Sequence, residues 1–350
     1  MMMHVGDCLE ILPTLAAASA QTCITSPPYY GLRDYGVASQ IGQEETPAAY
    51  VERLVAVFRE VHRVLCDDGT LWLNLGDSYC TQPHGHLGAH ASDPKLPQAR
   101  QRGAKGTANR QRLPGLKHKD MIGIPWRVAF ALQEDGWYLR QDIICSKPNP
   151  MPESVTDRCT KAHEYLFLLS KSQRYYFDAG AIREQAAPSS IARWAQDVES
   201  QTGSDRVPGK TNGPMKAVGG RSRRDAFARS GNVSKHVLPG QHAAQHREDR
   251  PADTFDTETR NKRSVWTVAT RPFKNAHFAT YPEQLIEPCV LAGAPAGAMV
   301  LDPFLGAGTT AVVAERLGRS WVGCELNPAY ADIARQRLHG KSAGLALGAA

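Results

Sequence analysis

The chain has 350 residues, 42% of them hydrophobic, and 41 Lys and Arg against 35 Asp and Glu give it a net charge of +6. This suits a soluble globular protein of one large domain or two small ones, and no apolar run approaches the ~20 residues a membrane-spanning helix needs. Eight scattered cysteines, without a C-x-x-C pair or a leader-like N-terminus, predict reduced thiols and a cytoplasmic location.

In chain order, His4-Val5-Gly6-Asp7 reads as a short strand, Leu9 to Ala18 as a helix and Thr22-Cys23-Ile24-Thr25 as a second strand. The peptide Ser26-Pro27-Pro28-Tyr29 follows directly. Pro47 to Leu65 places Val51, Leu54, Val55, Phe58, Val61 and Leu65 at helical spacing. Asp67-Asp68-Gly69 reads as a turn, and Thr70 to Leu75 as a buried strand.

Between Thr81 and Lys119 the charge is concentrated. Lys95, Arg100, Arg102, Lys105, Arg110, Arg112, Lys117 and Lys119 face a single acid, Asp93, so the segment is either a solvated loop or a polyanion-binding one. His84, His86, His90 and His118 lack companions at ligand spacing, and no metal site is expected.

Ile124 to Glu134 then reads as a helix and Leu139 to Cys145 as a strand. A hairpin is expected from Glu164 to Leu169 and Arg174 to Phe177, turning near Lys171-Ser172-Gln173. From Gln185 to Lys262 apolar anchors thin out, and the stretch Gly219 to Arg224 is Gly, Ser and Arg alone; this marks a recognition insert or a disordered linker.

Near the C-terminus, Ala298 to Asp302 is a strand followed by Pro303-Phe304-Leu305-Gly306-Ala307-Gly308-Thr309-Thr310. A helix from Thr310 to Leu317, a strand from Ser320 to Glu325, and a helix opened by Asn327-Pro328 and running to about Leu338 complete the series. Alternating short strands and helices give the α/β class with a mostly parallel sheet.

Gly306 and Gly308 let backbone approach a ligand closely. Glu325, one βαβ step or roughly 20 residues beyond the first strand, is placed to bind ribose hydroxyls. A nicotinamide cofactor would use the same spacing, although the loop lacks the third glycine of G-x-G-x-x-G. Asp302 suits a charged amino-acid tail, with Phe304 packing beside it. Asp7 can meet an adenine amine, cap a helix, or do both.

The Ser26 hydroxyl and the Pro27 carbonyl can accept the two N–H bonds of an exocyclic base amine, stabilising the charge that develops as the amine is alkylated. Consecutive prolines, Pro27 and Pro28, fix φ and remove competing backbone donors. Tyr29 offers a stacking surface for a base flipped from the duplex.

Together these residues resemble the DNA amino-methyltransferases of the permuted beta class. The resemblance rests on Ser26-Pro27-Pro28-Tyr29, Gly69-Thr70-Leu71-Trp72-Leu73, Ile143 to Pro150, His163-Glu164-Tyr165-Leu166, His277 to Pro282 and the glycine loop. It implies a circularly permuted, Rossmann-like fold dependent on S-adenosylmethionine, with a hairpin ending the sheet and a target-recognition insert. One catalytic domain would span 1–182 and 264–340, with 81–119 as a basic loop facing DNA. The insert would span 183–263, partly disordered, and 341–350 would form a flexible tail.

The implied reaction is direct methyl transfer to cytosine N4 in double-stranded DNA, without a cysteine nucleophile. Adenine N6 is the nearest alternative. A decayed DNA-binding module, or a methyltransferase of RNA or of a protein amide, stands in a different class. The cofactor contacts would be Asp7, Thr280, Asp302, Phe304, Gly306, Gly308, Thr309 and Glu325. Lysine often precedes the last proline of the His277 to Pro282 segment in this family, and Tyr281 stands there instead. Lys105, Arg110, Arg112, Arg221, Arg223 and Arg224 are the candidate DNA contacts. A restriction endonuclease and a second copy of the chain are the further partners the resemblance allows, and nucleoid association would follow from DNA binding.

Overall fold

The computed structural model describes residues 1–37, 39–80, 115–194, 258–269 and 281–347, with backbone alone for 340–347. It divides into two compact units. One comprises Met1–Ala181 with Arg263–Ala350, the other Ile182–Lys262.

The larger unit is built on an eight-stranded sheet. Its strands are β1 (Met2–Val5), β2 (Ala20–Thr25), β3 (Leu65–Leu75), β4 (Tyr138–Ser146), β5 (His163–Ser170), β8 (Val265–Thr267), β9 (Met299–Asp302) and β10 (Ser320–Glu325), in the spatial order β1-β10-β9-β2-β3-β5-β4-β8. β5 alone runs against its neighbours β3 and β4, and the other pairs in this sheet are parallel. Central strands of such a sheet are covered on both faces and read as continuous apolar runs. Accordingly Thr70 to Leu75 is wholly buried, including the polar Thr70 and Asn74.

Seen in sheet order, β9 is followed by β10 and β1 on one side and flanked by β2 and β3 on the other. The half-sheet β9-β10-β1 thus draws strands from both ends of the chain, as a permuted order requires. The two strands run parallel, but the direction in which the chain adds strands to the sheet reverses between β9 and β2. Ligands of open α/β sheets bind at such a switch point, beyond the carboxyl ends of the strands.

Helices α1 (Cys8–Ile11), α2 (Pro47–Val64), α3 (Ile124–Glu134), α5 (Glu283–Gly293), α6 (Thr309–Arg316) and α7 (Pro328–Leu347) belong to this unit. α2 buries Tyr50, Leu54, Val57, Phe58, Val61 and Val64 on one face, and the Thr46 hydroxyl caps its start by accepting from Ala49 N–H. The smaller unit holds a two-stranded antiparallel pair, β6 (Glu184–Gln185) with β7 (Thr259–Arg260), and α4 (Pro188–Trp194). An Arg260–Glu184 ion pair at 2.9 Å ties the pair together.

Several elements depart from the sequence expectations: the first strand, expected over His4 to Asp7, lies at Met2–Val5. The helix expected from Leu9 to Ala18 ends at Ile11 and passes into a 3-10 turn, Leu12–Thr14, because Pro13 lacks the N–H a continuing α-helix needs. Asp67-Asp68-Gly69 is not a separate turn but lies inside β3, where the register against β2 jumps from Ala20↔Leu65 to Thr22↔Thr70. The strand expected over Arg174 to Phe177 is absent, and β5 pairs with β4 instead, as in Cys145↔Glu164 and Ser146↔His163. Finally, α7 runs to Leu347, past the Leu338 near which the sequence pattern ends it.

Candidate active site

A cavity of about 840 Å³ opens at the carboxyl ends of β2, β3, β9 and β10. That volume is within the ~300–1,000 Å³ range of small-molecule sites. It brings Ser26, Pro27, Pro28 and Tyr29 together with Asp7, Phe304, Gly306, Thr309 and Glu325. The two peptides, far apart in sequence, line one space because β2 and β9 are neighbours.

At one end, burial pushes the Glu325 carboxyl above the usual range, and two backbone N–H groups pull the other way. Those bonds fix its orientation: Gly306 N–H donates to Oε2 and Asn327 N–H to Oε1, each at 2.8 Å. Each oxygen retains acceptor capacity toward the cavity. Asp7 lines the same end while its Oδ1 caps α1 by accepting from Leu9 N–H at 2.9 Å. Tyr35 and Tyr330 meet edge to face, their centroids 6.2 Å apart, and supply aromatic walls.

Gly308 is required where it stands. Its φ is +77°, and a Cβ would lie 2.9 Å from the Ala334 methyl of α7. Gly306, with φ +53°, faces only the Phe304 carbonyl at 3.9 Å, so its hydrogen leaves room rather than relieving a clash. The Thr309 hydroxyl accepts from Arg337 at 3.1 Å, and Arg337 also donates to the Ala307 carbonyl at 2.6 Å, so α7 braces the glycine loop.

Asp302 is placed differently from the expectation of a ligand contact. It does not line the cavity and is 1% exposed. Four protein donors meet its carboxylate: Thr25 Oγ1 (2.6 Å) and Phe304 N–H (3.0 Å) at Oδ1, Thr310 Oγ1 (2.6 Å) and Tyr281 Oη (3.0 Å) at Oδ2. Burial raises this carboxyl above its ordinary range and the donors oppose the rise. Asp302 therefore joins the glycine loop, the end of β2 and Tyr281.

At the other end, the Pro28 carbonyl is taken by the Tyr50 hydroxyl at 2.8 Å. No protein donor meets the Pro27 carbonyl among the described residues. Asn74, at the end of β3, donates through Nδ2 to Ser26 Oγ at 3.3 Å and to Tyr29 Oη at 2.9 Å. Tyr29 in turn donates to Glu164 Oε2 at 3.1 Å, and Glu164 Oε1 is paired with Lys147. The Tyr29 ring packs on Gly76, where any Cβ would collide with it.

Asn74, Lys147, Glu164 and Gly76 join the site without being sequence candidates for it. Asn74 has a signal as the lone amide near the end of an apolar strand, and Glu164 as an acid opening one. Cys145 also lines the cavity, and burial with the nearby Glu164 pushes its thiol up to about 12. It is a poor thiolate source. Thr280, Lys105, Arg110, Arg112, Arg221, Arg223 and Arg224 lie outside the described residues.

The fold and cavity define an open α/β protein with a glycine loop and a proline-rich turn at one topological switch point. The chain belongs to the DNA methylase family of N6 and N4 methyltransferases, whose profile matches residues 20–336. It is 43% identical to the Type II methyltransferase M.Cfr9I of Citrobacter freundii over 337 residues, covering 96% of this chain and 87% of that one. It is 40% identical to the Type II methyltransferase M.SmaI of Serratia marcescens, covering 95% and 89%.

Among solved structures, the cytosine-N4-specific PvuII DNA methyltransferase superposes with a TM-score of 0.57 at 16% identity, covering 96% of this chain and 85% of that one. A putative DNA modification methylase from Thermus thermophilus, complexed with S-adenosyl-L-methionine, gives 0.51 at 21% identity, covering 96% and 91%. The Rossmann-like fold is shared with both. Among the described residues, no helix is long and apolar enough to cross a membrane.

Proposed function

We propose that this chain methylates the exocyclic N4 amine of cytosine in duplex DNA, using S-adenosylmethionine, at the site where Ser26 and Gly306 share one cavity. The residues present fit that cofactor. Glu325 offers oriented carboxylate oxygens for ribose hydroxyls, Tyr35 and Tyr330 offer aromatic walls, and the Gly306 backbone leaves open space beside them. When bound, the cofactor supplies a methyl group activated by its sulfonium.

The chain's own residues handle the amine. Its lone pair is delocalised into the ring, so acceptors must hold both N–H bonds and stabilise developing positive charge. Ser26 Oγ and the Pro27 carbonyl take that role, the Pro28 carbonyl being occupied by Tyr50. Tyr29 carries the flipped base on its ring. The raised Cys145 thiol agrees with direct transfer rather than covalent catalysis.

Serine at position 26 supports cytosine over adenine, and this residue carries the choice. The cations of 81–119 and the insert of 183–263 supply phosphate contacts and base reading respectively, which makes affinity fall with salt. A cognate endonuclease is the partner that the Type II relatives suggest, alongside self-association. The reading is tested by Ser26→Ala: transfer of labelled methyl to DNA should fall by at least about 100-fold while cofactor binding by calorimetry persists. Wild-type turnover in that variant would refute it.

A further inference from the structure

The hydrogen bonds behind the turn have a direction, and one group fixes it. Lys147 and Glu164 are paired, and both line the cavity. A carboxylate can only accept, so the Tyr29 hydroxyl must spend its proton on Glu164. Its oxygen is then an acceptor, and the amide group facing it must be the Asn74 nitrogen. That nitrogen's second hydrogen falls on Ser26 Oγ.

Among the described residues, the arrangement leaves Asn74 Oδ1 buried with no partner. A buried carbonyl without a donor is costly, and what holds the amide this way round is the pair of bonds its nitrogen makes to Tyr29 Oη and Ser26 Oγ. The opposite orientation would bury two amide hydrogens and ask Tyr29 to donate twice. The orphan oxygen is therefore the mark of an orientation imposed from Glu164. A buried polar group left unsatisfied calls for a reason in its surroundings, and here the reason is the acceptor at Glu164.

We propose that the Lys147–Glu164 pair sets the hydrogen-bond polarity of the substrate turn, with Glu164 a positioning residue that orients Tyr29 directly and Ser26 through Asn74. The inference rests on the reading of Ser26 and Tyr29 as the base-binding turn. Lys147 occupies Glu164 Oε1, and the carboxylate turns Oε2 to Tyr29 as an acceptor. Asn74 donation occupies one lone pair of Ser26 Oγ and leaves the other for the substrate amine. The Tyr29 hydroxyl, which a stacking ring alone would not need, becomes the link that transmits the polarity.

The test is single-turnover methyl transfer to duplex DNA by wild type, Glu164→Gln, Tyr29→Phe and the double variant, with cofactor and DNA affinities measured in parallel. Glutamine can turn its NH2 toward Tyr29 and reverse the chain, whereas phenylalanine keeps the ring on Gly76 and cuts it. Each single variant should lose at least about tenfold in rate with both affinities within about twofold of wild type. The double variant should lose no more than the worse single one, because both break the same link.

Should Glu164→Gln fail to fold, Tyr29→Phe decides alone. Wild-type rate in Tyr29→Phe, or a double variant whose loss is the product of the two, overturns the inference. A wild-type protein that transfers no methyl to a base amine overturns the functional reading instead, so the two failures are told apart.

Discussion

Thr25 and Asp302, separated by 277 positions, meet in a hydrogen bond of 2.6 Å from the Thr25 hydroxyl to Asp302 Oδ1. Thr25 is the residue before Ser26, and Asp302 ends the strand that leads into the glycine loop. The bond fixes the Ser26–Tyr29 turn to the glycine loop across the switch point. Phe304 N–H reaches the same oxygen, and Thr310 and Tyr281 hold the other, so one buried carboxylate sets the relative placement of four segments.

Thr25→Val keeps the volume and removes the donor. A buried carboxyl group losing one partner should cost about 1–3 kcal/mol, read as a lower urea midpoint with an unchanged slope. Methyl transfer should fall as well, since Ser26 loses its tether. A variant as stable and as active as wild type would show that the bond positions nothing.

The pH dependence has a definite sign. Burial raises the Asp302 carboxyl in the folded protein, so the folded state binds this proton more tightly than the unfolded chain. Its stabilising contribution is fully present below the unfolded value of about 3.9 and is lost as pH rises through the higher folded value. Urea titrations of wild type and Asp302→Asn should therefore diverge in favour of wild type as the pH falls through that window. A difference that stays flat, or shifts the other way, would contradict the burial argument.

Gly308→Ala places a methyl against Ala334 in a left-handed backbone conformation. Together these should cost about 2–4 kcal/mol. Gly306→Ala meets no such neighbour and should cost only about 1–2 kcal/mol while weakening cofactor binding, because the added methyl enters the space beside the cavity. Thermal melts with and without S-adenosylmethionine distinguish the two. Equal destabilisation would mean that the α7 contact is unimportant.

Much of this architecture is legible in the residues because buried parallel strands are written as short apolar runs. Val300-Leu301 and Leu71 to Leu75 announce β9 and β3, and the Gly306–Gly308 loop after β9 marks the switch point. The hairpin is harder to read. Arg174-Tyr175-Tyr176-Phe177 has strand composition, yet Tyr176 N–H goes to the Asp68 carbonyl and Asp178 N–H to Ala292, single bonds rather than a ladder. The partner of β5 is β4, on the other side of a long loop, and such non-local pairing leaves no local signal.

The same pairing explains which site residues the sequence hides. Glu164 reaches Tyr29 only because β5 lies beside β3, with Leu75 opposite Tyr165. Lys147 meets Glu164 only because β4 completes the hairpin. Asp302, in contrast, is conspicuous in the sequence, while its partners are not. Its hydrogen-bonding partners come from β2, α6, the glycine loop and Tyr281, and only the fold shows their convergence on one buried carboxylate.

The central claim is that Ser26, with the Pro27 carbonyl, presents a cytosine amine for direct methylation. The most direct measurement is to methylate unmodified duplex DNA with the purified protein and S-adenosylmethionine, digest it to nucleosides and identify the product by mass and retention. N4-methyldeoxycytidine is the expected result, absent from the Ser26→Ala reaction. N6-methyldeoxyadenosine, 5-methyldeoxycytidine or no methylated nucleoside would contradict it.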